Sequence, residues 1–405
     1  MNTQLKTIFV FLFLVCTLRG TAQNFSIDYP SYQNRNSDAL EISRIVRNDT
    51  ATILYMDAYS RPNYWIRLAS GLSLHGNQTG KNYPIIRSQG FELDKEVYMP
   101  ASGNVTFSLQ FAPLAPQEKM IDFIEGANKG DFQIKSISLN EQEKKGKIHC
   151  HISGKVIDSP QSSRLVLMKA HKNPSSSPWL SIPIRNGEFQ YDFYADHEEV
   201  YEVFIWNDML TGSWLPSLFF AENGPVSFTL YPASTRKPGL VSTSNPLTCE
   251  LQQLESERKA KFNFDSLYAQ MNKLYEENRF ESEALQTLWK RIEQVKDNNE
   301  ERNNIYRERD RLEESGEAYT EEGKALLVKI KQLNEEMNQW TIKHIKQNPS
   351  LPGLYVLTSK TEMARKGEDV TPFLNAYQET FASLYPEHPY SQQMQMLIKN
   401  GQPEI

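Results

Sequence analysis

Apolar and polar positions alternate with a period of two through the first half of the chain, then switch near residue 247 to spacings of three and four. Val105, Phe107, Leu109 and Phe111 alternate with Thr106, Ser108 and Gln110, the pattern of a strand with one buried face. Leu40-Glu41-Ile42 and Ile53-Leu54-Tyr55 flank a polar Asn48-Asp49-Thr50 turn. Pro100-Ala101-Ser102-Gly103, the stretch from Pro113 to Pro116, and Asn128-Lys129-Gly130 punctuate the short strands between them. Residues 23–140 therefore read as a small β-sandwich.

A charged stretch from Asn140 to Gly146 separates this unit from a second antiparallel β domain over 147–232. There Ile182 and Ile184 precede Asn186-Gly187, and Phe189, Tyr191 and Phe193 follow, which predicts a hairpin. Asn223-Gly224 predicts another, leading into Val226, Phe228 and Leu230. After a loop from Pro232 to Pro246, residues 247–347 predict a helical hairpin of coiled-coil type. One arm carries Leu285, Leu288, Ile292 and Val295, and the other Leu326, Ile330, Leu333, Met337 and Trp340. Ser315-Gly316 ends the first arm, Thr320 before Glu321 and Glu322 caps the second, and Pro349 with Pro352 ends it. Lys296 to Glu314 offers only Ile305, Tyr306 and Leu312 as large apolar residues, so this tip is expected to stand in solvent. Residues 348–405 predict shorter helices around Phe373–Tyr385 and Ser391–Lys399. The fold class is α+β and multidomain: two β-sandwich or antiparallel β domains, a helical hairpin and C-terminal helices.

The start of the chain changes the picture from a plain globular protein to an exported one. Lys6 precedes the apolar run Ile8 to Val15, and Gly20-Thr21-Ala22 supplies small residues for cleavage, so 1–22 reads as a signal peptide. The run is too short for a membrane span, and Leu14-Val15 before Cys16 lacks the small residue of a lipid-attachment site. A periplasmic or outer-envelope location follows. The formal charge of −6 over 405 residues argues against a nucleic-acid partner. Cys150 and Cys249 remain after export, far apart, so there is no C-x-x-C pair. Cys150 alternates with Ile148 and Ile152 as an inward strand residue, which favours two free thiols over a disulfide.

Several phrases together resemble the N-terminal portion of Bacteroidetes-type thiol-disulfide oxidoreductases of the TlpA/ResA-like thioredoxin group. They are Asp49-Thr50-Ala51-Thr52-Ile53-Leu54-Tyr55, Tyr64-Trp65-Ile66-Arg67, Phe107 to Leu114, Asp122 to Gly126, Ile152 to Val156, Asn186-Gly187-Glu188-Phe189 and Phe219 to Gly224. Tyr385-Pro386-Glu387-His388-Pro389-Tyr390 and Gly401-Gln402-Pro403 resemble that family's lead-in to its thioredoxin domain. The resemblance implies an immunoglobulin-like module, a small β domain and a helical segment. The family's activity resides in a W-C-x-x-C centre, which no position here matches, so no catalytic residue is carried over.

Other constellations have structural explanations. His149 and His151 share a strand face around Cys150, but two solvent-facing imidazoles beside an inward cysteine explain the pattern without a metal. His388, between Pro386 and Pro389, shapes a helix connection. Trp179, Trp206, Trp214, Phe219 and Phe220 are expected in a core rather than a groove. Asp49-Thr50-Ala51 and Asp265-Ser266-Leu267 match a short bacterial O-glycosylation pattern. No nucleophile elbow, zinc-protease helix or phosphate loop is present. The expectation is a noncatalytic scaffold without catalytic, cofactor or metal residues, binding a protein partner such as a thioredoxin-like chain docked on the C-terminal helices. The alternative is a thiol-disulfide interchange protein whose thioredoxin domain is missing or supplied by another chain. Intact mass of the exported protein is expected to place its first residue at or near Gln23; recovery of the Met1 form alone would contradict export.

Overall fold

The computed structural model describes residues 25–400, except 129, 141–145, 160–161, 175–176, 178, 296–297 and 365–367. The expected leader and most of the charged linker lie outside the described residues. The fold is α+β, with β domains followed by helices, and it divides into two compact units. The first is 1–146 together with 159–165 and 183–186; the second is the remainder.

Unit 1 contains β1 (Phe25–Asp28), β2 (Asn34–Arg35), β3 (Leu40–Arg47), β4 (Thr52–Tyr59), β5 (Trp65–Ile66), β6 (Ser73–Gly76), β7 (Asn82–Gln89), β8 (Val97–Tyr98), β9 (Asn104–Phe111), β10 (Met120–Ile124) and β11 (Gln133–Ser138). Nine of these pair in the order β1-β3-β4-β9-β7-β6-β10-β11-β2, and β5 pairs with β8. β7 joins the two halves of the sheet: Asn82, Tyr83 and Pro84 pair with β6, whereas Ile85 to Gln89 pair with β9. One core, including Leu54, Met56, Leu109, Phe111, Ile121, Phe123, Ile134 and Ile137, fills the space between the halves. The alternation in β9 is seen directly, with Phe107, Leu109 and Phe111 buried. The Asn48 turn forms because the Asn48 Oδ1 accepts from the backbone N–H groups of Thr50 and Ala51, each at 2.9 Å.

Unit 2 carries two four-stranded sheets. The first has the order β15 (Glu188–Ala195), β12 (Ile148–Val156), β18 (Gly224–Leu230) and β19 (Leu240–Thr243). The second has the order β14 (Leu180–Pro183), β13 (Arg164–Lys169), β16 (Val200–Ile205) and β17 (Ser217–Phe220), its outer segments belonging to unit 1. Phe193 and Phe228 of the first sheet pack against Phe219 of the second, with ring centroids 6.2 and 5.3 Å away. This arrangement corrects both expected hairpins. β14 and β15 lie in different sheets, as do β17 and β18, so each Asn-Gly signal marks a crossover between sheets. Asn186 and Gly187 do adopt left-handed φ of 54° and 77°, but turn chemistry fixes the reversal and not the partner strand. β12 and β18 pair in parallel, and Gly154 permits their approach: a Cβ there would lie 2.2 Å from the Phe228 carbonyl oxygen. The expected loop between Pro232 and Pro246 contains β19.

The helices are α1 (Trp206–Leu210), α2 (Pro246–Lys261), α3 (Asp265–Glu276), α4 (Glu283–Gln294), α5 (Asn299–Ser315), α6 (Glu321–Gln347), α7 (Leu351–Glu362), α8 (Thr371–Ala376) and α9 (Pro389–Asn400), with a π-helical turn at Tyr377–Phe381. The predicted stop and cap are present: Gly316 has φ 74°, and the Thr320 Oγ1 accepts from the Gly323 N–H at 3.0 Å. The pairing within the helical region is richer than one hairpin, because α6 packs on α3 while α4 packs on α5. The apolar stripe of α4 explains this, since Leu285 and Leu288 meet Ile305 of α5 and Ala318 in a small separate core. The segment expected to stand in solvent therefore contains a fully buried Ile305. Ile305→Ala is expected to destabilise this sub-core by about 2–5 kcal/mol. Amide exchange should accelerate in 283–315 and stay unchanged in β12; unchanged exchange in both segments would show that the sub-core is not held by this side chain.

Candidate functional site

β12 presents His149 and His151 on one face and buries Cys150 on the other. The His149 Nε2 and the His151 Nδ1 lie 2.8 and 3.0 Å from the same oxygen, Asp192 Oδ1 on β15, and His149 stacks on Tyr194. The carboxylate oxygen thus occupies the point on which both imidazoles converge, at hydrogen-bond rather than coordination distance. Burial raises the Asp192 pKa, but hydrogen bonds from His151 and His149 outweigh it and hold the carboxyl below its usual range. Among the described residues no group of three His, Cys, Asp or Glu side chains is placed to hold a metal ion.

Both described cysteines are free thiols. Burial pushes the Cys150 thiol up to about 12, so the nucleophilic thiolate is scarce at neutral pH. Cys249 lies in the first turn of α2, exposed, its Sγ 3.4 Å from the Thr243 carbonyl oxygen. Phe219 and Phe220 are fully buried and Trp206 nearly so, as expected of core residues. Trp179 and Trp214 flank a smaller cluster of Val166, Met168, Phe204 and Trp206. His388 stands immediately before α9, where its Nδ1 accepts from the Tyr390 N–H at 3.2 Å and its carbonyl oxygen accepts from the Gln392 N–H at 3.1 Å. Thr50 and Ser266 are both exposed.

The most chemically suggestive cluster of unit 2 escaped the sequence reading. His171, just after β13, holds a left-handed φ of 61°. Its Nε2 lies 2.7 Å from the Tyr355 hydroxyl and 3.0 Å from the Ser359 Oγ, both on α7. The adjacent Lys172 donates to the Glu362 Oε1 at 2.8 Å. Glu202 on β16 is 4% exposed, and burial pushes its carboxyl up to about 7, with the His171 backbone N–H opposing that rise. Burial also lowers the His171 pKa and raises that of Tyr355. Perturbed titratable groups beside a serine fit the general form of an acyl-transfer site. The hydrogen-bond inventory favours a different role. The Tyr355 hydroxyl makes the shorter contact to Nε2, so Ser359 shares that nitrogen with a phenol and does not face it alone. The cluster is a polar fastening of α7 to the β domain. No local motif could have revealed it, because His171, Glu202, Tyr355 and Ser359 come from three distant segments.

No family model matches the chain, and neither does any curated protein. Among solved structures, pullulanase type I from Bacillus subtilis complexed with maltose is similar at 11% identity and a TM-score of 0.13, over 42% of this chain and 23% of that one. The backbone protein of group B streptococcus pilus 2b is similar at 8% identity and a TM-score of 0.11, over 42% and 83%. The chain spans less than a quarter of the pullulanase, and at these scores neither likeness bears on function.

The Glu202 carboxyl gives a pH test. Its folded pKa of about 7 lies above the ordinary 4.5. The unfolded chain therefore releases this proton first as pH rises, and the stability present below pH 4.5 falls away between 4.5 and 7. Glu202→Gln, which mimics the protonated acid, should match the parent below pH 4.5 and exceed it above pH 7 by on the order of 3 kcal/mol. Equal unfolding midpoints at pH 8 would show that the carboxyl is not confined as described.

Proposed function

We propose that the protein is an exported, noncatalytic interaction module of the cell envelope, built on the N-terminal architecture of the TlpA/ResA-like oxidoreductases. The observation that carries this reading is the use of chemically capable side chains as structure: His171, Tyr355 and Ser359 join a strand-end to α7, and the Cys150 thiol is buried. Thiol exchange needs an activated thiolate beside a resolving partner, and Cys249, in the first turn of α2, has no second thiol beside it among the described residues. Leu384 and Met396, in the C-terminal helical segment, expose large apolar side chains, which suits a protein partner docked there. No helix among the described residues is long and apolar enough to cross a membrane. Purified mature protein is expected to reduce insulin in the presence of dithiothreitol no faster than buffer. A rate well above background that is lost in Cys249→Ser or Cys150→Ser would replace this reading with thiol-disulfide chemistry.

A further inference from the structure

On the outer face of unit 1, β4, β9 and β7 form an open groove of about 490 Å³. Register places Tyr55 opposite Ser108, Ile53 opposite Gln110, Arg87 opposite Gln110 and Gln89 opposite Ser108, so these side chains share the face turned away from the core. Arg87 is the one charged residue lining it. Its Nε donates to the Gln110 Oε1 at 2.7 Å, which fixes the plane of the guanidinium and leaves the two terminal nitrogens directed elsewhere, with no carboxylate within ion-pair distance among the described residues. Asp57, on the same strand face, is 1% exposed and already engaged by Thr106 at 2.5 Å and Arg185 at 3.4 Å. The Tyr55 ring is 37% exposed, with the Arg44 guanidinium 5.2 Å from its centroid.

We propose that this groove binds an acidic saccharide, with a sugar carboxylate on Arg87, hydroxyls on Gln89, Ser108 and Gln110, and a pyranose face against Tyr55. The lining excludes the commoner alternatives. Sites for apolar small molecules are predominantly hydrophobic, whereas here Ile53, Tyr55 and Phe107 are outnumbered by Arg87, Gln89, Thr106, Ser108 and Gln110. An extended peptide docks on a strand edge through backbone groups, but this groove runs across paired strands and offers side-chain amides and hydroxyls. Amides that both donate and accept match sugar hydroxyls, and an arginine fork without an acidic partner selects a carboxylate. A neighbouring hollow of about 600 Å³ carries Glu92, Glu96 and Lys95, with Lys95 paired to Glu92, so its net charge does not favour an anion. The proposal is independent of the protein-partner reading above.

Titration calorimetry of the mature protein at low salt tests it with three probes: an oligogalacturonate, neutral dextran and poly-glutamate. The oligogalacturonate should bind, and dextran and poly-glutamate should not. Arg87→Gln should weaken binding at least tenfold, and Tyr55→Ala severalfold, with unfolding midpoints unchanged; Lys290→Gln, in unit 2, should leave binding unaltered. Absence of oligogalacturonate binding, equal binding of poly-glutamate, or full affinity in Arg87→Gln would each overturn the proposal.

Discussion

Helix α7 is enclosed on every side over its first two turns. Nine of its twelve residues are buried, from Leu351 through Thr358 and again at Thr361, so it exists only where other elements enclose it. The enclosure comes from Ala170, Val200 and Phe220 of the β domain, Leu251 and Leu254 of α2, Ile345 of α6, and Phe381, Tyr390 and Met394 beyond it. Its polar groups are met in place. Thr358 and Thr361 donate to the carbonyl oxygens of Leu354 and Leu357, each at 2.9 Å, and the Ser350 Oγ accepts from the Gly353 N–H at 3.3 Å. Tyr355 is half of the same solution, because its ring lies in the apolar seam while its hydroxyl reaches His171. Burying such a helix costs little only when every donor and acceptor is matched, and His171, with its left-handed backbone, supplies the match. Strands β16 and β17, through Val200 and Phe220, therefore share one core with the C-terminal helices of unit 2.

Unit 1 solves the complementary problem of a buried charge. Arg164, the largest fully buried side chain among the described residues, donates to the Asp38 carbonyl oxygen at 2.9 Å and lies within 3.2 Å of the Asp38 carboxylate, with its guanidinium 4.2 Å from the Tyr59 ring centroid. Taking a guanidinium out of water is costly unless its hydrogen bonds and counter-charge are supplied, and the loss of one partner then costs far more than a surface pair would. Arg164 and Asp38 both belong to unit 1. Glu118, 3% exposed, is satisfied in the same way by the Gln78 N–H, the Tyr83 hydroxyl and the Thr79 hydroxyl.

The legible parts of the fold were those with strong period or punctuation. β9, the Asn48 turn, the Gly316 stop, the Thr320 cap and the inward Cys150 all follow from local residue types. Helix α7 was not legible, because Leu-Pro-Gly-Leu-Tyr-Val-Leu is apolar without period, and Pro352 read with Pro349 as a terminator although proline suits a first helical turn. Strand partners were hidden for a similar reason, since Asn186-Gly187 specifies a reversal and tertiary packing selects the sheet. Of the site residues, His149 and His151 could be placed on an outer face from alternation alone. Asp192, which joins them, and the His171 cluster depend on contacts between distant segments, which no spacing encodes.

If catalytically capable side chains are committed to holding α7, the β strands and the C-terminal helices of unit 2 should open together. Native-state hydrogen exchange measures this directly by comparing the amides of β12 and α7 over a range of denaturant. A common opening free energy and denaturant dependence for 148–156 and 351–362 is the result predicted here. Exchange of α7 through a separate, cheaper opening while β12 stays protected would contradict it, because the helix would then be a mobile attachment whose His171 contacts are dispensable to the fold.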